Sequence, residues 1–229
     1  MIAEARRKRN ERIERRLARA MIEAKREKEM KLKMEGREFE RKECLRLGSK
    51  WYDKAYANER NVGYEPYFPL WDRVFDWIGV DEVIVDLGCG IGLFAQKAIA
   101  AGKLYGFGVD YSQEAISQAK EYNPEHAHTF VCSDLFSVNI PVFPVCAFVL
   151  LEVLEHLKDD CGLFFRFPSG QHIIFSVPSF DCASHVRYFR SRKHCVERYS
   201  PFVKIRRSAK VVMNPDKGSC IWVFTGKVK

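Results

Sequence analysis

Residues 83–98 read VIVDLGCGIGLFAQKA, and this stretch decides the fold. An apolar run reaches an acid, Asp86, and then three glycines spaced two apart, Gly88, Gly90 and Gly92. From Leu93 onward the pattern is helical. A strand, a glycine turn and a helix in that order form a loop that can hold a ligand at the helix start. The spacing is not a dinucleotide fingerprint. G-x-G-x-x-G/A would need a small residue where Leu93 stands. The Gly-Lys-Ser/Thr of a Walker loop is also absent. Asp86 would repel a pyrophosphate but suits a ligand that carries an ammonium group.

Outward from this loop the chain alternates strand and helix. EVIVDLG, LYGFGVD, HTFVCSD, VCAFVLLEV and HIIFSVP read as strands. Residues 93–101, 112–121 and 191–199 read as helices, the second capped by Ser112, and EVLEHLKDD as a helical turn or more. The end differs: FVKIRRSAKVVM and CIWVFTGKV flank NPDKGS, which predicts an antiparallel hairpin. The expected fold is therefore α/β, a doubly wound, mostly parallel seven-stranded sheet with a C-terminal antiparallel hairpin. Ligands on such sheets sit at the carboxyl ends of the strands. Before the first strand, Pro69 can open a helix that Gly79 ends, burying Leu70, Val74 and Trp77. Earlier still, Trp51, Tyr52 and Tyr56 can fold over a pocket.

The chain has 229 residues and a net charge of +8. Residues 1–50 hold 18 Lys/Arg against 10 Asp/Glu, whereas the remainder is balanced, so the whole excess lies in the first fifth. That segment has no proline and is rich in helix formers, which predicts a long basic helix. It reads as a solvated helix, a nucleic-acid-binding arm or a weak coiled coil. Residues 1–50 are thus expected to be a basic arm, 51–80 an aromatic-rich lid and helix, and 81–229 the ligand-binding domain. No apolar run is long enough to span a membrane, and no secretory signal opens the chain. Eight scattered cysteines without a CxxC pair suggest reduced thiols and a cytoplasmic setting.

VDLGCGIG resembles motif I of the class I (Rossmann-like) S-adenosylmethionine-dependent methyltransferases. GVDYSQEAISQAK, VCSDLF, LLEVLEHL and IFSVPSFDCASHVRYF resemble the segments that follow it in that family, in the same order. The acid that usually opens strand four is missing from FPVCAF. The resemblance implies S-adenosylmethionine as cofactor. Asp86 would bind its ammonium, and the N–H groups of the loop its carboxylate. Gly88, Gly90 and Gly92 would allow close backbone approach. Asp110 would accept the ribose hydroxyls. Tyr111 and Leu135 would pack on adenine, and Asp134 would accept from its amino group.

Acceptor chemistry is expected just past strands four and five. Glu152, Glu155 and His156 fall at i, i+3 and i+4, one face of a helix, and His185 lies in the following loop. His156 and His185 are the candidate bases, with an activity limb near ~6.5 if unperturbed. Glu152, Glu155 and His156 also have metal-ligand spacing, as in small-RNA 2′-O-methyltransferases and ubiquinone-type O-methyltransferases. The bland alternative is a solvated helix face. No N/D-P-P-Y/F follows strand four and no Pro-Cys pair is present, which argues against DNA-base methylation. The expected activity is methyl transfer to an oxygen or nitrogen of a small molecule. The alternatives are an RNA ribose methyltransferase that binds nucleic acid through residues 1–50, and a non-catalytic cofactor-binding module.

Overall fold

The structure, a computed structural model, describes residues 48–58, 64–182, 184–216 and 218–229. The expected long basic helix falls almost wholly in residues 1–47, outside the described residues.

Strand β1 (Val83–Leu87) sends Val85 and Leu87 into one apolar core and Ile84 into another. Strand β4 (Cys146–Leu150) splits the same way, with Cys146, Phe148 and Leu150 against Ala147 and Val149. Successive side chains on a strand point to opposite faces, so a sheet covered on both sides needs unbroken apolar strings. The remaining strands are β2 (Leu104–Asp110), β3 (Phe130–Cys132), β5 (His172–Pro178), β6 (Val203–Asn214) and β7 (Ser219–Val228). Their spatial order is β3-β2-β1-β4-β5-β7-β6. The first five are parallel, and β7 is antiparallel to both β5 and β6. This is the expected mostly parallel seven-stranded sheet with its C-terminal antiparallel hairpin. Within the hairpin the second strand lies inside. β7 is largely buried, whereas β6 exposes Lys204, Arg206, Arg207 and Lys210. Charge on an edge strand blocks pairing with another sheet.

Helix α1 (Ser49–Asn58) lies against α4 (Gln113–Tyr122), and α2 (Phe68–Phe75) buries Leu70, Trp71, Val74 and Phe75. Helix α3 (Leu93–Ala100) follows the glycine loop, and a short α5 (Asp160–Leu163) precedes β5. The Ser112 hydroxyl accepts from the Ala115 N–H at 3.1 Å, capping α4 as expected. Ser191 caps α6 (Arg192–Tyr199) by the same device.

Two segments differ from expectation. Within HTFVCSD only three residues form strand, because a 3-10 stretch, Pro124–Thr129, takes up its start. Within EVLEHL there is no helix that carries Glu152 with Glu155 and His156. Glu152 has φ 56°, which breaks the chain direction after β4, and only Leu154–His156 form a 3-10 turn. The sheet order reverses at β1, between β2 and β4, so the crevice opens at the carboxyl ends of these strands.

Candidate functional site

The glycine loop leaves β1 with positive φ at all three glycines, 83° at Gly88, 51° at Gly90 and 77° at Gly92. A Cβ on Gly88 would lie 2.4 Å from Val153 Cγ2, and one on Gly92 2.8 Å from Asn123 Nδ2. A Cβ on Gly90 would meet the Tyr56 hydroxyl at 3.3 Å. The loop's N–H groups are largely engaged within the protein. Gly88 and Cys89 donate to the Val109 carbonyl at 2.7 and 2.9 Å, Gly92 to the Cys89 carbonyl, and Gly90 to Asp110 Oδ2 at 3.0 Å. These glycines therefore permit close approach, and the four N–H groups already have acceptors within the protein.

Asp86 is 3% exposed, and among the described residues only the Tyr105 hydroxyl donates to it, at 3.1 Å. Burial pushes its carboxyl up to about 7; nearby Asp110 adds to this and the Tyr105 bond opposes it. Asp110 ends β2 with one oxygen on Gly90 N–H and the other on Ser112 N–H at 2.9 Å. Burial raises its carboxyl as well, against those backbone bonds.

Two adjoining chambers open beside this loop. The first, about 360 Å³, holds Asp86, the glycine loop, Glu152, Glu155, His156 and His185. All four expected acceptor-side residues thus line one cavity. The second, about 630 Å³, is lined by Asp110, Tyr111, Asp134 and Leu135. Tyr52 and Tyr56 of α1 border both. The Tyr52 ring stands 6.1 Å from that of Tyr111 and 6.0 Å from that of His156, edge to face with each. Burial, with Glu155 and Asp110 nearby, holds its phenol well above the ordinary range. The anchor of α1 is Asp53, whose Oδ1 accepts from the Ser112 hydroxyl at 2.6 Å and the Glu114 N–H at 3.2 Å. No local pattern links Asp53 to a helix start 59 residues away, and sequence reading missed it.

At the far end of the first chamber, Glu155 is fully buried and neither carboxylate oxygen has a hydrogen-bond partner among the described residues. Burial, together with nearby Glu152, pushes its carboxyl well up. Glu152 turns aside, accepting from the Ser176 hydroxyl at 2.8 Å, and burial raises it too. The His156 ring places Nδ1 3.0 Å from the Ser184 carbonyl, and His185 places Nδ1 3.2 Å from the Phe180 carbonyl. A carbonyl only accepts, so each neutral ring carries its proton on Nδ1, which makes Nε2 the unprotonated nitrogen. Burial, with His185 beside it, pulls His156 down to about 4, below the unperturbed value of ~6.5. Ligand atoms of Glu155, His156 and His185 lie within 4.8 Å of one another.

The backbone joins these residues. Val186 and Arg187 donate N–H bonds to the Glu155 carbonyl at 2.7 and 3.4 Å. The Arg187 guanidinium donates to the Leu154 and Lys158 carbonyls, both at 3.0 Å, and pairs with buried Asp160 at 3.2 Å. Arg198 and the Tyr199 hydroxyl complete the shell of Asp160.

Residues 84–166 match the family model of the methyltransferase domain. No curated protein matches the chain by sequence. Among solved structures, it resembles the 1,6-didemethyltoxoflavin-N1-methyltransferase of Burkholderia thailandensis, solved with 1,6-didemethyltoxoflavin and S-adenosylhomocysteine. The TM-score is 0.62 at 16% identity, over 79% of this chain and 87% of that one. It also resembles the N-methyltransferase NodS of Bradyrhizobium japonicum WM9 in complex with S-adenosylhomocysteine, with TM-score 0.56, 14% identity and coverage of 76% and 98%. Magnesium protoporphyrin IX methyltransferase of Synechocystis PCC 6803, with bound S-adenosylhomocysteine, gives TM-score 0.56, 16% identity and coverage of 76% and 93%. The glycine turn with acids at the ends of β1 and β2, the strand order and the family match lead to one assignment: residues 84–166 carry a methyltransferase domain, set in the fold of the class I, Rossmann-like, S-adenosylmethionine-dependent methyltransferases.

Proposed function

We propose that the protein methylates an oxygen or nitrogen of a small molecule bound in the first chamber. The observation that carries this is the meeting of Glu155, His156 and His185 in the cavity that also holds Asp86 and the glycine loop. The cofactor fits the paired chambers. Buried Asp86, with a single hydrogen-bond donor among the described residues, suits an ammonium, and Gly90 leaves space that a side chain would narrow. Asp110 has lone pairs left for ribose hydroxyls, while Tyr111, Asp134 and Leu135 line the chamber for adenine. S-adenosylmethionine supplies an activated sulfonium methyl. The protein's task is to align the acceptor atom and exclude water. The Nε2 atoms of His156 and His185 are the candidate proton acceptors, and α1 covers the cavity. The Burkholderia neighbour was solved with a small molecule, 1,6-didemethyltoxoflavin, beside S-adenosylhomocysteine, in keeping with a small acceptor.

A divalent ion at Glu155, His156 and His185 is a second reading, favoured by their spacing and by both Nδ1 positions being tied to carbonyls. Metal-binding histidines are held in this way, with the other ring nitrogen on a carbonyl. Glu152 stands outside this set.

A screen of metabolites and RNA in parallel, with methyl-labelled cofactor and with or without chelator, tests these roles. Turnover of a small molecule is expected. Label entering RNA alone would overturn the small-molecule reading, and chelator-insensitive turnover would remove the metal.

A further inference from the structure

We infer that the acceptor is a flat aromatic molecule that presents an O–H or N–H group and carries no carboxylate or phosphate; this rests on the methyl-transfer reading above. The first chamber is walled by rings. Trp71 stacks on Tyr67 at 6.5 Å between centroids with planes 25° apart, and meets Phe94 edge-on at 6.0 Å. Trp51, Tyr64 and Phe180 line the same cavity. Aromatic walls favour an offset-stacked or edge-on planar guest. The volume, about 360 Å³, is shared with the cofactor's methionine end, which leaves space for roughly one or two rings.

Charge narrows the class. Three carboxyls line the chamber, Asp86, Glu152 and Glu155, and no Lys or Arg does so among the described residues. The Arg187 guanidinium close by is engaged with backbone carbonyls and Asp160. With Asp86 taken by the cofactor's ammonium, a phosphate or carboxylate entering here would be desolvated beside Glu152 and Glu155, with no Lys or Arg of the described residues lining the chamber to meet it. The polar preference is also visible. Both oxygens of buried Glu155 lack a donor among the described residues, and a buried polar group left unpaired is costly. A phenolic O–H or an amine N–H supplies that donor, and an amine that enters as a cation is further favoured by the acids and the ring faces.

The test uses the full-length protein saturated with S-adenosylhomocysteine. Saturation-transfer NMR and competition titration compare p-cresol and tyramine with 4-hydroxybenzoate, phenyl phosphate and uridine monophosphate. We expect p-cresol and tyramine to bind at least about tenfold more tightly than the three anions, and Trp51→Ala to weaken them while S-adenosylhomocysteine affinity is unchanged. An anion that binds as tightly as p-cresol, or no ring compound binding to the loaded protein, would overturn the inference and leave methyl transfer standing. Failure of the protein to bind S-adenosylhomocysteine would overturn the methyl-transfer reading itself, and the inference with it.

Discussion

Cofactor binding should be linked to a proton on Asp86. The carboxyl is pushed up to about 7 by burial, so near neutral pH a substantial fraction is protonated before any ligand arrives. An ammonium group seated against it favours the ionised form. Binding therefore releases protons, and affinity rises as pH climbs through about 7. If only the ionised form binds, the penalty factor is about 1 + 10^(7 − pH). It is about 2 at pH 7 and about 100 at pH 5, a weakening of about fifty-fold, or ~2.3 kcal/mol. Above pH ~8 the ligand's own amine loses its proton and the gain stops. Isothermal titration of S-adenosylhomocysteine in buffers of different ionisation enthalpy reads both affinity and proton release. Asp86→Asn keeps the shape and the Tyr105 contact but cannot ionise, so its affinity should be weaker at pH 7 and nearly flat below it. A wild-type affinity constant between pH 5 and 7, or a slope that survives in Asp86→Asn, would refute the assignment of the ammonium to this carboxyl.

Gly92→Ala places a Cβ 2.8 Å from Asn123 Nδ2 and 2.9 Å from Ala119 Cβ, at φ 77°. Left-handed strain and overpacking together should cost about 2–4 kcal/mol in urea unfolding, and an unchanged midpoint would show that the loop relaxes freely. Asp53→Ala removes the carboxylate that ties α1 to Ser112 and Glu114, so amides of α1 should exchange faster while those of β1 do not; equal protection in both proteins would mean that other contacts hold the helix.

The fold was legible because its signals are local. Val83–Leu87 is an apolar string, three glycines follow at positions that take positive φ, and Ser112 caps the helix that it precedes. Each depends on neighbours within a few residues, which is the range over which sequence pattern constrains the backbone. The hairpin was legible for the same reason, but not the insertion of β7 between β5 and β6, which depends on which strand is apolar enough to be covered twice. The acceptor end of the site was only half legible. Spacing placed Glu152, Glu155 and His156 on one helix face, and that helix does not form. Glu152 takes φ 56° with its N–H and its carboxylate both held by Ser176, 24 residues on. His185 joins Glu155 instead, through N–H bonds from Val186 and Arg187 to the Glu155 carbonyl. The ionisation behaviour was not legible at all. Asp86 near 7 and His156 near 4 are products of desolvation, which depends on what the whole chain packs around a group rather than on its sequence neighbours. Sequence determined which residues stand at the carboxyl edge of the sheet; tertiary burial decided which of them face each other and which carry a charge.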